Sequence, residues 1–187
     1  GVTDGHTGMT AMVLDRDGLQ ARKSWIFTDD YVLCLGAGIH SDSTLAVTTS
    51  IDQRVKHGDL LRYEHKSWVP VNGTYTSSPE KQRVFHEKRS GRWCDFMGSY
   101  APATVEGEIV GLHIEHGRAD NAGYQYLILP ASSAEKTAAF STQDIEVIRN
   151  DRSVQAVGLG GCFYVTAYEP QKLDLRYDLQ VDILTPG

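Results

Sequence analysis

The chain has 187 residues, a formal charge of −6 at pH 7, and 41% hydrophobic and 22% charged residues. This length and composition are typical of one soluble globular domain with a sizeable core. The acidic balance argues against general nucleic-acid binding, and no apolar run approaches the roughly 20 residues that a transmembrane helix needs.

The two ends of the sequence are unlike natural termini. The chain begins with Gly1 and Val2 rather than Met, without a signal peptide, and Thr185-Pro186-Gly187 follows a strand pattern directly. We therefore expect a mature or excised piece of a longer protein.

The three cysteines predict neither a disulfide framework nor a zinc site, because their number is odd and their spacing is wide. They are Cys34, Cys94 and Cys162. Cys34 lies in an apolar strand pattern and Cys162 begins another, so we expect both of these thiols to be buried.

Residues 19–38 predict a β-hairpin. Residues 19–27 alternate in polarity, Thr28-Asp29-Asp30 is a turn signal, and residues 31–35 are apolar on both faces. A strand that is apolar on both faces is typical of the centre of a sheet. Gly36-Ala37-Gly38 is expected to end this strand and to permit a bulge or a close backbone approach.

Alternation predicts strands along most of the remaining chain. They cover residues 9–14, 45–54, 67–71, 82–87, 105–115, 124–129, 145–149, 154–157 and 162–168. Loops rich in Gly, Pro, Ser or Asn are predicted at residues 40–44, 70–81 and 97–104. Only residues 132–140 favour a helix, with Ser132 and Glu135 forming a capping box.

The last strand has the clearest pattern. Six apolar residues alternate with polar ones, namely Leu173, Leu175, Tyr177, Leu179, Val181 and Ile183. The pattern predicts a single strand over residues 173–183 with one face on a core. Many short antiparallel strands in one domain predict an all-β sandwich spanning residues 1–187.

Two groups of residues and one further histidine suggest chemistry at first sight. His113 and His116 are three apart in a strand, so their imidazoles should point to opposite faces and not form a metal pair. His6 lies in a predicted turn. The glycine-rich residues 158–161 are followed by no helix and favour a tight turn over a phosphate loop. We expect no metal and no cofactor.

A basic segment, residues 81–93, stands out in this acidic chain. As a strand it would place Lys81, Arg83 and Arg89 beside Phe85, and a turn of Ser90, Gly91 and Arg92 would precede Trp93. Arginines can bind carboxylate or sulfate bidentately, and an adjacent tryptophan face suits a sugar ring. A solvated edge strand is the alternative.

The tryptophans divide into two groups. Trp25, inside the first hairpin, is predicted to pack in the core. Trp68 and Trp93 lie beside loops, where core packing and sugar stacking both remain open. The candidate substrate-binding residues are therefore Arg83, Arg89, Arg92, Trp93 and Trp68.

Ordered motifs over about residues 1–160 resemble the polysaccharide lyase family that contains chondroitin AC, hyaluronate and xanthan lyases. They are "GVTDG" at residues 1–5, "LQARKSWIFTDD" at 19–30, "LGAGI" at 35–39, "TTSIDQ" at 48–53, "GRW" at 91–93, "HIEHGRADNAGYQYLILP" at 113–130 and "VQAV" at 154–157. Asp120 stands where the family usually has proline.

The resemblance implies a β-supersandwich related in shape to galactose mutarotase. It also implies cleavage of uronic-acid polysaccharides by β-elimination, a general acid–base reaction. The family's catalytic Asn, His, Tyr and Arg come from an upstream α/α helical domain, and no residue of this chain matches a catalytic motif.

The resulting hypothesis is a β-sandwich segment of a secreted or periplasmic bacterial lyase that lacks the N-terminal helical domain. Its partners would be that helical domain and an acidic polysaccharide such as chondroitin, hyaluronan or xanthan, with no nucleic acid or membrane. Two rivals remain: a free-standing carbohydrate-binding module, and a mutarotase-like epimerase acting through His6, His113 or His116.

Overall fold

The computed structural model describes residues 1–69, 72–176 and 179–185. Within these ranges the chain forms sixteen β-strands and one α-helix, α1 (Ala134–Ala139). The strands are β1 (Val2–Thr3), β2 (Gly8–Arg16), β3 (Leu19–Phe27), β4 (Val32–Ser41), β5 (Val47–Val55), β6 (Leu61–Arg62), β7 (Lys66–Val69), β8 (Asn72–Thr76), β9 (Gln82–Arg92), β10 (Thr104–Gly117), β11 (Ala122–Pro130), β12 (Ile145–Asn150), β13 (Val154–Leu159), β14 (Cys162–Ala167), β15 (Gln171–Asp174) and β16 (Gln180–Ile183). None of the helices in these ranges has the length and apolar character required to cross a membrane.

Within the described residues the strands build four antiparallel sheets, and the three larger ones stack as layers. The middle layer has eight strands in the order β1-β2-β3-β4-β11-β8-β7-β6, and smaller sheets have the orders β5-β10-β9 and β12-β13-β14. In β4, Cys34 packs in a cluster with Ile114 of β10, whereas its neighbour Leu35 packs in a cluster with Val157 of β13. Because adjacent strand residues point to opposite faces, the two small sheets cover opposite faces of the large one. The predicted all-β antiparallel fold with one short helix is confirmed.

Strand β4 is the centre of the molecule, as its apolar sequence predicted. The prediction that Gly36-Ala37-Gly38 ends the strand is wrong, because β4 continues to Ser41. The predicted bulge and close approach are confirmed. Gly38 has a φ of 57° beside a register shift, and a side chain at Gly36 would collide with the ring of Tyr124.

Polar side chains, of which Gln155 is fully buried, join the β12-β13-β14 sheet to the central sheet. The Asn150 amide donates to the carbonyl oxygens of Gly36 and Tyr124 (3.3 and 3.0 Å), which lie beside the register shift between β4 and β11. Gln155 donates to Asn150 Oδ1 (2.8 Å) and accepts from the Tyr168 hydroxyl (2.8 Å). These bonds satisfy polar groups within an otherwise apolar layer contact.

The predicted strand over residues 173–183 is wrong, because β15 and β16 form a hairpin in which Leu173 lies opposite Val181. Residues that lie opposite each other in a hairpin share one face of the sheet. The alternation of apolar and polar residues therefore continues unbroken through the turn. Leu173 is buried, whereas Leu179 is 46% exposed. Tyr177 and Asp178 lie outside the described residues.

The loop predicted over residues 70–81 is also wrong in part, because it contains β8. Residues Pro70 and Val71, where the preceding strand was expected to end, lie outside the described residues. Strand β8 lacks apolar alternation, but Gly73 packs so closely against Thr137 of α1 that a side chain would not fit. A small residue is needed where a helix crosses a strand this closely.

Helix α1 begins at Ala134 rather than at Ser132, and its N-cap lies one residue later than predicted. Its N-cap is Ser133, whose hydroxyl accepts from the Lys136 amide (3.2 Å). The Ser132 hydroxyl instead bonds with the Thr137 hydroxyl (3.0 Å). The predicted capping box of Ser132 and Glu135 is therefore wrong.

The glycine-rich residues form the predicted tight turn. Gly160 and Gly161 have φ values of 58° and 82° between the paired residues Leu159 and Cys162. Cys162 is exposed because it directly follows this turn, so its predicted burial is wrong. Cys34 is buried as predicted, and burial raises the pKa of its thiol to about 11.

Candidate functional site

The basic segment forms one arm of a long hairpin. Strand β9 pairs with β10 from Gln82, opposite Ile114, to Arg92, opposite Thr104, and it lies at the edge of its three-stranded sheet. The turn predicted at Ser90, Gly91 and Arg92 is wrong, because these residues continue the strand. The reversal comes later, in residues 93–103, which we call the hairpin tip.

Local hydrogen bonds fold the hairpin tip. A 3-10 turn spans Trp93–Asp95, and the amides of Phe96 and Met97 both donate to the Trp93 carbonyl (3.1 and 2.9 Å). The Tyr100 amide then donates to the Met97 carbonyl (3.1 Å). Consecutive turns of this kind need no apolar core, so the side chains of the tip are free to face outward.

The hairpin tip exposes four large apolar side chains. Their exposed fractions are 60% for Trp93, 82% for Phe96, 55% for Met97 and 53% for Tyr100. The rings of Trp93 and Tyr100 lie with centroids 6.5 Å apart at 42°. Four exposed apolar side chains within eight residues are typical of an interaction site, and aromatic faces can pack on sugar rings.

Trp93 was predicted from the sequence as a candidate, whereas Phe96, Met97 and Tyr100 were not. The available signal was the run "WCDFMGSY", in which large apolar residues follow neither the strand nor the helix period. Apolar residues without a period have no face to bury, so they are left in solvent when the segment folds as turns.

The three candidate arginines already have carboxylate partners. Arg92 binds Asp95 through two nitrogens (Nη2–Oδ1 2.8 Å, Nε–Oδ2 3.3 Å), beside Trp93. Arg83 pairs with Glu115 (Nε–Oε2 3.0 Å), and Arg89 pairs with Glu87. All three guanidinium groups are about half exposed. An anionic ligand would therefore exchange with a carboxylate rather than meet a free cation.

Strand alternation placed part of the basic segment correctly. Arg83 and Arg89 share a face of β9 with Phe85, as predicted. Lys81 does not belong to that face, because it lies in the 3-10 turn Pro79–Lys81 that precedes the strand.

The paired strand offsets much of the positive charge. Glu106 and Glu108 of β10 lie opposite Ser90 and Lys88, and Glu108 also contacts His86 (3.1 Å). A shallow groove combines both signs of charge and is lined by Lys88, Arg89, Ser90, Glu106, Gly107 and Glu108. The mixed lining limits the long-range attraction of a polyanion to this strand.

Trp68 lies apart from the other candidates in the fold. It belongs to β7 of the eight-stranded sheet, whereas Arg83, Arg89 and Arg92 lie in the three-stranded sheet. Its indole N–H donates to the Ser132 carbonyl (2.8 Å) immediately before α1. This bond gives Trp68 a structural role in joining the helix to the sheet.

The histidines are dispersed. The His113 ring contacts Phe85 (centroids 5.9 Å apart), whereas His116 bonds to the Thr49 hydroxyl (2.8 Å) on the opposite face of the sheet, as the spacing predicted. Burial lowers the pKa of His116. His6 lies in a turn whose amides bond to Asp4. Across residues 1–69, 72–176 and 179–185, no group of three or more His, Cys, Asp or Glu is placed to hold a metal ion.

Comparison with known proteins gives a consistent match. Residues 1–141 match the family model described as polysaccharide lyase family 8, super-sandwich domain. The chain is 30% identical over 175 residues to chondroitinase-AC of Pedobacter heparinus and 27% identical over 194 residues to a hyaluronate lyase of Thermasporomyces composti. The solved structure of the Streptomyces coelicolor chondroitin AC lyase, in complex with chondroitin sulphate, is similar with a TM-score of 0.82 and 27% identity.

The matches cover most of this chain but little of its relatives. They include 84% and 89% of the chain but 25% of each of the two relatives. For the solved structure, the shares are 90% of this chain and 24% of that one. The chain therefore spans about a quarter of the length of the lyases that it resembles.

Proposed function

The chain belongs to polysaccharide lyase family 8 as its super-sandwich domain, and from this membership we propose that it is the β-sandwich part of a bacterial lyase. The whole enzyme would cleave a uronic-acid polysaccharide such as chondroitin, hyaluronan or a xanthan-like polymer by β-elimination. The observation that carries the proposal is the family match over residues 1–141, supported by the structural similarity to a chondroitin AC lyase with a TM-score of 0.82.

In this proposal the chain supports a substrate cleft rather than catalysing the reaction. The proton-abstracting and proton-donating groups would come from a helical domain elsewhere in the same enzyme. The dispersed positions of His6, His113 and His116 support that division, since general acid–base catalysis needs groups that converge on one substrate atom. A polymer substrate is too large to enter a cell, so the enzyme would be secreted or periplasmic.

The hairpin tip is the proposed polysaccharide contact of this chain. Trp93 and Tyr100 offer aromatic faces for sugar rings, and Arg92 offers a bidentate site for a carboxylate or sulfate. Because Asp95 occupies that site, binding requires the ligand anion to displace an intramolecular carboxylate. Arg83 and Arg89 would contact the polysaccharide from the adjoining strand. Trp68 would contribute indirectly, by anchoring helix α1 to the sheet.

An activity assay tests the proposed reaction. A full-length lyase containing this chain should release unsaturated products from chondroitin, hyaluronan or xanthan, detected by the ultraviolet absorbance of the new double bond. The 187-residue chain alone should release none. Absence of product from all three polymers with the full-length enzyme would refute the substrate class. If the isolated chain turned over substrate and lost this activity in His113→Ala or His116→Ala, the result would instead favour an enzyme that acts on its own, such as the mutarotase-like epimerase.

A binding assay tests the hairpin tip. Calorimetric titration of the chain with chondroitin sulfate at low salt should give weak binding that decreases as salt is added. The double variant Arg92→Ala, Trp93→Ala should weaken binding by about tenfold, on the scale of 1.4 kcal/mol per factor of ten. The matched control is Arg16→Ala, which removes an exposed arginine far along the chain and should leave binding unchanged. If both changes weakened binding equally, the tip would contribute only nonspecific positive charge and the proposed contact would be refuted.

The exposed aromatic cluster also favours a second candidate, a carbohydrate-binding module that acts without catalysis. Such a module would bind a neutral polysaccharide as well as an acidic one, because stacking on Trp93 and Tyr100 needs no charge. Salt-independent binding of a neutral polymer would support this candidate over the lyase proposal.

A further inference from the structure

A row of three residues crosses the central sheet on the side that faces the β5-β10-β9 sheet. Lys23 of β3 and Tyr124 of β11 are both paired with Gly36 of β4, so the three residues lie side by side on one face. The ring of Tyr124 lies over Gly36, in the space that a side chain would otherwise fill. Because glycine leaves this space open, the ring extends across β4 towards Lys23.

His116 of β10 lies beside this row. The centroid of its ring is 6.1 Å from that of the Tyr124 ring. His116 Nε2 is hydrogen-bonded to the Thr49 hydroxyl (2.8 Å), but Nδ1 is buried without a partner. Leaving a buried polar atom unpaired is costly, and such atoms in folded proteins are normally bonded to protein, water or a ligand. His116 Nδ1 is therefore open to a group from outside the chain.

Two lysines from different elements lie near His116. Lys23 belongs to the row on the central sheet, and Lys81 belongs to the 3-10 turn that precedes β9. Burial lowers the pKa of His116, and the charges of Lys81 and Lys23 lower it further. The adjacent Glu115 points to the other face of β10, where it pairs with Arg83. Among the described residues, the charges that shift the pKa of His116 are therefore both positive.

Neither Lys23 nor Lys81 has an ion-pair partner within residues 1–69, 72–176 and 179–185. The three arginines of β9, in contrast, are all paired with carboxylates. Like charges repel each other more strongly beside buried groups, because the local dielectric constant is low. Lys81 is exposed, whereas Lys23 and His116 are partly buried, so an anion can reach this cluster from solvent. An anion bound there would offset the repulsion.

Gln82, beside Lys81, is a second unpaired donor on this side of β10. It is paired with Ile114, two residues from His116, so its side chain faces the same gap between the sheets. Gln82 is 3% exposed, and its Oε1 accepts from the Ser67 hydroxyl (3.1 Å), but its Nε2 is buried without a partner. An amide nitrogen is a donor only, so this group, like the lysines, favours an acceptor in the gap.

We propose that the gap between the central sheet and the β5-β10-β9 sheet binds a small oxyanion, a sulfate or carboxylate group, between Lys23, Lys81 and His116. The ammonium groups would supply charge, and His116 would donate from Nδ1 while Nε2 accepts from the Thr49 hydroxyl. Burial raises the pKa of Tyr124, so its hydroxyl stays protonated and is a further donor. A free inorganic anion and a charged group of a glycosaminoglycan offer the same chemistry. The site does not depend on the proposed lyase activity.

A histidine NMR titration tests the site in the 187-residue chain. Sodium sulfate is the probe, and sodium chloride at equal ionic strength is the reference. A bound anion favours the imidazolium ion, so sulfate should raise the pKa of His116 from its lowered value. By linkage, the affinity for sulfate should increase about tenfold as the pH falls through that pKa. An identical pKa of His116 in sulfate and in chloride would overturn the proposal.

Two lysine variants show whether the effect is local. Lys81→Ala removes an exposed side chain without disturbing the core and should weaken sulfate binding about tenfold. Lys172→Ala is the matched control, because it removes the same charge from an exposed lysine of β15 in another sheet, and it should leave binding unchanged. Equal weakening by both variants would show nonspecific attraction and overturn the site.

Oligosaccharides of chondroitin sulfate, used in place of inorganic sulfate, identify the source of the bound group. Tighter binding of the oligosaccharide that is weakened by Lys81→Ala would support the site and assign it to the polysaccharide. Tighter binding of inorganic sulfate would support the site and assign it to a free anion. Binding of both that is unaffected by Lys81→Ala would overturn the site. Lyase activity is measured separately by product absorbance, so failure of the proposed function is distinguishable from failure of the anion site.

Discussion

Replacing Gln155 with leucine should lower the free energy of unfolding by about 3 kcal/mol, because it removes the hydrogen bonds of a fully buried side chain and takes the donor from Asn150 Oδ1. Gln155 is fully buried in β13 between the central sheet and the β12-β13-β14 sheet. Its side-chain N–H groups donate to Asn150 Oδ1 (2.8 Å) and to the Arg22 carbonyl (3.4 Å), and its oxygen accepts from the Tyr168 hydroxyl (2.8 Å).

The magnitude follows from what each partner retains. The Tyr168 hydroxyl keeps the Lys23 carbonyl as an acceptor (3.1 Å), so it remains satisfied. Asn150 Oδ1 loses its donor, at about 1–3 kcal/mol, and the Arg22 carbonyl, whose residue is also paired with β4, loses an additional bond. The Arg22 bond is long and contributes at the lower end, and the added apolar surface of leucine offsets about 1 kcal/mol. The net loss is therefore about 3 kcal/mol.

Urea unfolding followed by tryptophan fluorescence measures this loss, and the melting temperature should fall by about 10 °C in a chain of this length. Gln53→Leu is the matched control, because Gln53 is an exposed glutamine in β5 and its replacement leaves no buried group unpaired. Equal effects at the two sites, or a loss at Gln155 below about 0.5 kcal/mol, would refute the reasoning that this network holds the layers together.

Three further changes test other parts of the fold. Gly36→Ala should destabilise the chain by about 2 kcal/mol or more in thermal unfolding, since the new methyl group would collide with a tyrosine ring. Iodoacetamide at pH 8 should alkylate Cys162 readily and Cys34 only on unfolding. The reason is that Cys34 is buried and the pKa of its thiol is raised. Mass spectrometry of the labelled peptides would show the reverse order of labelling if these placements were wrong. Bonds to Asp42 and Asp120 raise the pKa of His40 above its ordinary 6.5, so their contribution to stability is full below pH 6.5 and is lost as the pH rises through the folded pKa. Asp120→Asn should lower the pKa of His40 in an NMR titration, and an unchanged pKa would show that this contact does not form.

Much of the fold was predictable from local sequence. Period-two alternation located most of the strands, and the doubly apolar run in β4 identified the strand that both layers cover. These features are local, because a side chain's face in a strand depends only on its position along that strand. The ordered motifs likewise predicted the lyase family, which the family match over residues 1–141 confirmed.

Turn positions were harder to predict where the alternation of apolar and polar residues ran on without interruption. The last strand pattern continued through the turn between β15 and β16, and the expected turn at residues 90–92 proved to be strand. In both cases the period alone does not reveal whether the chain reverses. Strand β8 was missed for the opposite reason, because its burial depends on α1 and not on its own apolar residues.

The character of the candidate site emerged only from the tertiary structure. From the sequence, residues 81–93 are a run of positive charge, but β10 brings Glu106, Glu108 and Glu115 alongside that run. The same pairing carries the aromatic residues of the hairpin tip away from the core. Charge balance and exposure depend on which distant segments become neighbours, and strand pairing, a non-local interaction, decides this.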